Sequence, residues 1–148
     1  MPSIEINGFT IHYEIQGFGE PVFLLHHGFG CAKMWDKVVP QLVEQGYKTI
    51  CYDRRGYGLS EPGEGVEAFY VGDTFRDASL KELEAFRGWL GVDSFHAVGQ
   101  CEGGVVAVDY AAAFPDRVKS LTTSSTMCYS TVDMCTFNAS KFTKTFDQ

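Results

Sequence analysis

The sequence predicts an α/β fold, a mostly parallel sheet led by an antiparallel hairpin. Three observations carry this. Apolar runs of strand length alternate with helical repeats along most of the chain, and that alternation implies right-handed crossovers between parallel strands. Near the start, alternating apolar residues flank Asn7-Gly8, a good hairpin turn pair. Finally, 148 residues with 45% hydrophobic content suffice for one packed domain and argue against disorder.

In order, "SIEINGFTIHYEIQG" gives the hairpin, with Ile4 and Ile6 on one side of the turn and Phe9, Ile11, Tyr13 and Ile15 on the other. Pro21 opens "VFLLHH", an unbroken apolar run suited to a strand buried on both faces. "MWDKVVPQLVEQG" has helical spacing at Trp35, Val38, Val39, Leu42 and Val43, with Gly46 as its stop and Pro40 set to kink or divide it. "YKTICYD" is a strand leading into the glycine-rich "RRGYGLSEPGEG" loop. "DTFRDASLKELEAFRGWLG" reads as an amphipathic helix that turns Leu80, Leu83, Phe86, Trp89 and Leu90 to the core. "SFHAVG" is a strand, "EGGVVAVDYAAAF" a helix and "RVKSLTT" a sixth strand. Residues 1–123 are expected to form the core. Residues 124–148 lose clear periodicity and read as the beginning of a lid or cap, or as a loose tail.

Composition removes several functions. A net charge of −7 with no basic run disfavours nucleic-acid binding. No apolar run is long enough to span a bilayer, and "MPSIEING" has neither a cationic leader nor an apolar signal core, so a cytoplasmic setting is the default expectation. Cys31, Cys51, Cys101, Cys128 and Cys135 form no C-x-x-C pair, which points to free thiols rather than a metal site, and no cofactor motif is present. The glycine-rich turns lack both G-x-G-x-x-G spacing and a G-K-[ST] ending, which sets a nucleotide site aside.

Chemistry concentrates at Gly99-Gln100-Cys101-Glu102-Gly103, a G-x-nucleophile-x-G pattern between a strand and a helix. So tight a turn strains the apex residue and pushes its side chain clear of the backbone. The positions two before and two after must then be very small. The helix N-terminus beside Cys101 favours a thiolate and an oxyanion. "HHGFG", residues 26–30, is placed to complete an oxyanion hole, with the N–H groups of Phe29 and Glu102 as the donor pair. Gly28 lets that loop turn, and His27 is expected to shape it by bonding neighbouring backbone. The plainer alternative is a glycine-rich turn holding a buried cysteine. Cys31 directly follows that loop, which leaves a redox-sensitive pair with Cys101 open, but filling loop space is its simpler role. Phe69, Tyr70 and Met34 either line a pocket entrance or are merely packed.

"HHGFG…W", "YDRRGYGLSE", "AVGQCEGG" and "AAAFPDRVKSL" stand in the order and spacing that resemble the α/β-hydrolase superfamily. The resemblance is to the N-terminal portion of its single-domain enzymes and runs to about Thr123. It implies that Asp53, Arg55, Gly56 and Gly58 shape a loop beside the pocket through an Asp–Arg network. It also implies ester or thioester hydrolysis on a small-molecule substrate. Serine is usual at the apex, but relatives such as dienelactone hydrolases use cysteine. Haloalkane dehalogenases and epoxide hydrolases use aspartate there, so Cys101 argues against their chemistry.

In this fold the acid and histidine follow the nucleophile, yet His12, His26, His27 and His96 all precede Cys101. Of the aspartates that follow it, Asp109 and Asp116 lie on or just after the elbow helix, and Asp133 stands in the final segment. The sequence therefore reads as truncated after the sixth strand. It has a nucleophile and an oxyanion hole but no general base. The exposed sheet edge would invite self-association or a missing C-terminal half. The alternative function is a catalytically silent fragment or ligand-binding protein of the same fold.

Overall fold

The computed structural model describes residues 2–66 and 74–126. It holds a six-stranded sheet in the order β1-β2-β4-β3-β5-β6, formed by β1 (Ser3–Ile6), β2 (Phe9–Gln16), β3 (Glu20–Leu25), β4 (Tyr47–Tyr52), β5 (Phe95–Gln100) and β6 (Val118–Ser124). The β1–β2 and β2–β4 pairs are antiparallel, and the three remaining pairs are parallel. Asn7 and Gly8 both take positive φ, 51° and 83°, the conformation that a two-residue hairpin turn demands. That turn sets Ile6 opposite Phe9 and Ile4 opposite Ile11.

β3 is buried on both faces, as its unbroken apolar run requires. Phe23 and Leu25 join the cluster under the two longer helices, while Val22 and Leu24 join one on the opposite side. Truncating any of these to alanine would cost about 2–5 kcal/mol, because the close-packed surroundings relax only partly. On the second side, Ala32–Trp35 is a short 3-10 turn and α1 (Val39–Glu44) follows it as a separate helix. Pro40 divides the predicted helix rather than kinking it. It lies in the first turn of α1, where its missing N–H has no intrahelical acceptor to lose.

α2 (Phe75–Trp89) and α3 (Glu102–Ala113) cover the first side. The buried stripe of α2 is Ser79, Glu82, Leu83, Phe86 and Arg87, spaced i, i+3, i+4, i+7, i+8. It is rotated from the purely apolar stripe that the sequence suggests. Leu83 and Phe86 are fully buried, but Trp89 is 48% exposed and lies at the rim, edge-on to Tyr13. The rotation is possible because the polar members find partners. Arg87 pairs with Glu84 and donates to the Val92 carbonyl, and Glu82 accepts the Arg55 N–H.

Cys51 is buried within β4, and burial pushes its thiol up to about 12. Cys31, Cys51 and Cys101 are free thiols. β6 is the outer strand among the described residues, and most of it is exposed. Phe69, Tyr70, Cys128, Asp133 and Cys135, with most of the predicted cap or tail, lie outside the described residues. Among the described residues no helix is long and apolar enough to cross a membrane.

Candidate active site

Because β3, β4 and β5 run parallel, the loops that follow them meet at one edge of the sheet. Those loops carry "HHGFG", "DRRGYG" and the Cys101 turn.

At the turn, Cys101 has φ 51° and ψ −116°, a conformation that L-residues rarely adopt, and α3 starts at the next residue. The flanking glycines are required by contact. A Cβ on Gly99 would stand 2.5 Å from the Gly103 carbonyl oxygen. One on Gly103 would stand 2.2 Å from the Leu25 oxygen and 2.5 Å from the His26 oxygen. β5, α3 and the end of β3 thus approach backbone to backbone. The Cys101 N–H donates to the Ser124 carbonyl at the end of β6, which ties the apex to the neighbouring strand. Cys101 itself is half-buried.

The "HHGFG" loop winds around His27. His27 Nδ1 accepts the Phe29 N–H at 3.0 Å, and the His27 carbonyl accepts the Gly30 N–H. Its own N–H donates to Met34 Sδ at 3.4 Å, so Met34 belongs to the packing beneath the loop. His27 therefore bonds neighbouring backbone, as its sequence position suggests. The Phe29 N–H is consequently engaged by this ring and does not stand free as half of a donor pair. The Phe29 side chain is 76% exposed.

His26 is fully buried. It accepts the Arg54 N–H on Nε2 (3.0 Å), and its Nδ1 lies 2.8 Å from the His27 carbonyl, the pattern of a neutral ring. Burial first, and the Arg54 guanidinium second, bring its pKa down to about 3.

The expected Asp–Arg network is not what forms. The Asp53 carboxylate takes two backbone donors instead, the Ala32 N–H at 2.7 Å and the Leu59 N–H at 2.9 Å, and so binds the two loops together. Gly58 has φ 53°, and a Cβ there would stand 2.1 Å from Asp53 Oδ2. Arg55 lies over the Phe9 ring, 3.7 Å from its centroid, and donates from Nε to the Pro62 carbonyl.

The arginine that reaches the elbow is Arg54, which sequence reasoning missed. It is 2% exposed and pairs through Nη1 with Glu102 Oε1 at 2.6 Å, while Tyr57 OH donates to the same oxygen at 2.8 Å. The available signal was a charge of each sign in loops that a parallel sheet must bring to one edge. Among the described residues no group of three His, Cys, Asp or Glu is arranged to hold a metal ion. A cleft of about 510 Å³ between Phe9, Leu80, Ala85 and Phe114 is not lined by Cys101.

A strained apex between β5 and α3, glycines packed against backbone and a loop from β3 facing the turn define the geometry of this site. A family profile described as alpha/beta hydrolase fold matches residues 21–148, and the chain belongs to that family. It is 39% identical over 110 residues to a proline iminopeptidase of Lactobacillus delbrueckii subsp. bulgaricus, covering 72% of this chain and 36% of that protein. It is 35% identical over 125 residues to a proline iminopeptidase of Clostridioides difficile, covering 81% and 41%. Among solved structures, the epoxide hydrolase CorEH without ligand superposes with a TM-score of 0.76 at 28% identity, covering 86% of this chain and 42% of that one. Epoxide hydrolase A of Mycobacterium thermoresistibile gives a TM-score of 0.73 at 28% identity, covering 82% and 37%. The chain spans about two fifths of the length of these relatives.

Proposed function

We propose that the protein is a hydrolase unit that transfers acyl groups through Cys101, acting on small esters or thioesters. The observation that carries this reading is the backbone of Cys101, φ 51° and ψ −116°, a strain that a merely space-filling residue has no reason to hold. The sulfur bonds to the substrate carbonyl carbon, and the carbonyl π electrons move onto oxygen. Collapse then expels the alcohol or thiol, which takes the proton that the cysteine gave up. Water releases the acyl group in a second step. The developing oxyanion meets the N–H of Glu102, first residue of α3, and the N–H of Phe29. The latter must turn from the His27 ring to the substrate, which costs roughly the 1 kcal/mol of one neutral hydrogen bond. Gly28, Gly99 and Gly103 keep the loops close enough for this.

All four histidines of these 148 residues precede the elbow, so in this scheme the general base is a group beyond them. The likeness to epoxide hydrolases supplies fold and not mechanism, since cysteine stands where their chemistry uses aspartate.

The test is intact-mass analysis after exposure to a p-nitrophenyl ester or an aryl thioester. The expected result is one acyl group on Cys101, slowly hydrolysed, and none in Cys101→Ala. Acylation of Cys31 or another cysteine while Cys101 stays unmodified would overturn the reading. The second reading, a silent ligand-binding unit, rests on the same placement of the histidines. It is supported if Cys101→Ala changes neither ligand binding nor any activity.

A further inference from the structure

The acyl-transfer scheme uses only the backbone N–H of Glu102 and leaves its carboxylate without a task. Oε1 of that carboxylate receives Arg54 Nη1 at 2.6 Å and Tyr57 OH at 2.8 Å. Oε2 lies over Gly28, so close that a Cβ there would come within 2.8 Å of it. One carboxylate thus touches the loops that follow β3 and β4 while belonging to the turn that follows β5. Arg54 is locked from behind as well, since Nη2 donates to the His26 carbonyl at 3.0 Å. A guanidinium so withdrawn from water requires a counter-charge, and the carboxylate it contacts is Glu102.

We propose that Glu102 is a positioning residue for Cys101. Its ion pair with Arg54 holds the first peptide of α3 in place and balances the buried positive charge beside the thiol. This rests on the reading of Cys101 as the nucleophile. Among the described residues the ionisable groups gathered here are His26 and His27 from the loop after β3, Arg54 and Tyr57 from the loop after β4, and Glu102, with Glu82 of α2 within electrostatic reach of Arg54. His26 is neutral, and Asp53 is turned to the N–H groups of Ala32 and Leu59. The Arg55 N–H donates to Glu82, and the Arg55 guanidinium lies over Phe9 of the hairpin. Among the described residues the Arg54–Glu102 pair, whose carboxylate is borne one position after Cys101, is the ion pair at this turn.

The prediction has a sign that a purely structural role lacks. Glu102→Gln keeps an acceptor for Arg54 and Tyr57 but leaves the guanidinium uncompensated. The thiolate midpoint of Cys101 then falls by about one pH unit. Arg54→Met leaves the carboxylate uncompensated, and the midpoint rises by about one unit. The double variant returns to within roughly 0.3 unit of the parent. The midpoint is read from thiolate absorbance near 240 nm, as the difference from Cys101→Ala. In parallel, the iodoacetamide rate at Cys101 is followed by mass spectrometry across pH. If Arg54→Met does not fold, Glu102→Asp replaces it. Having kept the charge, it should titrate with the parent while Glu102→Gln does not. Shifts of the same sign in both single variants, or flat midpoints, overturn the proposal. Flat midpoints with normal alkylation leave the nucleophile reading standing. The stated shifts without alkylation uphold the charge balance and overturn the nucleophile reading.

Discussion

Glu82→Gln should make the protein more stable in mild alkali and leave it nearly unchanged in mild acid. Glu82 lies in the buried stripe of α2, where both carboxylate oxygens face the Arg55 N–H, at 3.2 and 3.4 Å. Burial outweighs that bond and the two nearby arginines, and lifts the carboxyl from an ordinary 4.5 to about 7. An acid whose folded pKa is raised binds more protons folded than unfolded. Stability from this group is therefore full below the unfolded pKa and is lost as pH climbs through the folded one. A gap of roughly 2.5 units at 1.36 kcal/mol per unit amounts to about 3 kcal/mol between pH 4.5 and just above 7. Glutamine keeps an acceptor for the Arg55 N–H and removes the titration. Urea unfolding of both proteins at pH 5, 6, 7 and 8 tests this. The glutamine variant should gain on the parent with each step, by about 2–3 kcal/mol in all, part of the gain being offset by a weaker, uncharged hydrogen bond. Parallel stability curves, or a parent that gains on the variant, would refute the reasoning.

Gly103→Ala should destabilise by about 2–3 kcal/mol, since its Cβ meets the carbonyl oxygens of Leu25 and His26, which cannot swing aside. Thermal unfolding should show a fall of roughly 4–12 °C for a chain of this size. In the same experiment Gly88→Ala, with open space at its Cβ inside α2, should gain about 0.5–1 kcal/mol. Glu84 is held near 2, chiefly by the hydrogen bond from Arg87 and also by Tyr110, so its contribution is present above 4.5 and disappears as pH falls toward 2. Acid titration followed by circular dichroism should therefore lose its steepest limb in Glu84→Gln. Asp53→Asn retains one acceptor where two backbone N–H groups need one each, at Ala32 and Leu59. Urea midpoints should report a loss of about 1–3 kcal/mol from the orphaned donor.

What could be read from the sequence was what short-range geometry dictates. Asn7-Gly8 announces its hairpin because two adjacent residues must take positive φ. Gly99 and Gly103 announce a tight strand-to-helix turn because every side chain is too large at either position. The helix is divided ahead of Pro40, which opens α1, for an equally local reason. The partners of polar side chains were harder to see. Arg54 and Glu102 stand 48 positions apart, and nothing in "DRRG" says which arginine turns inward. The same holds for α2, where the apolar pattern points Trp89 at the core. Glu82 and Arg87 are buried instead, because a backbone N–H from one loop and a carbonyl from another wait for them. Likewise, His27 was legible as a loop-shaping residue, but its ring claiming the Phe29 N–H was not.

The backbone at Cys101 also bears on the history of the chain. Its angles, φ 51° and ψ −116°, match the first corner of a type II′ turn, which glycine fills at no steric cost. Cysteine and glycine codons differ by one base, and relief of such strain is worth about 1–3 kcal/mol. A lineage freed from acyl transfer would gain stability from that one mutation, and drift would find it early. Libraries of this chain selected only for folding should therefore lose the cysteine at position 101 first, whereas selection for thiol chemistry should hold it against a constant pull toward glycine.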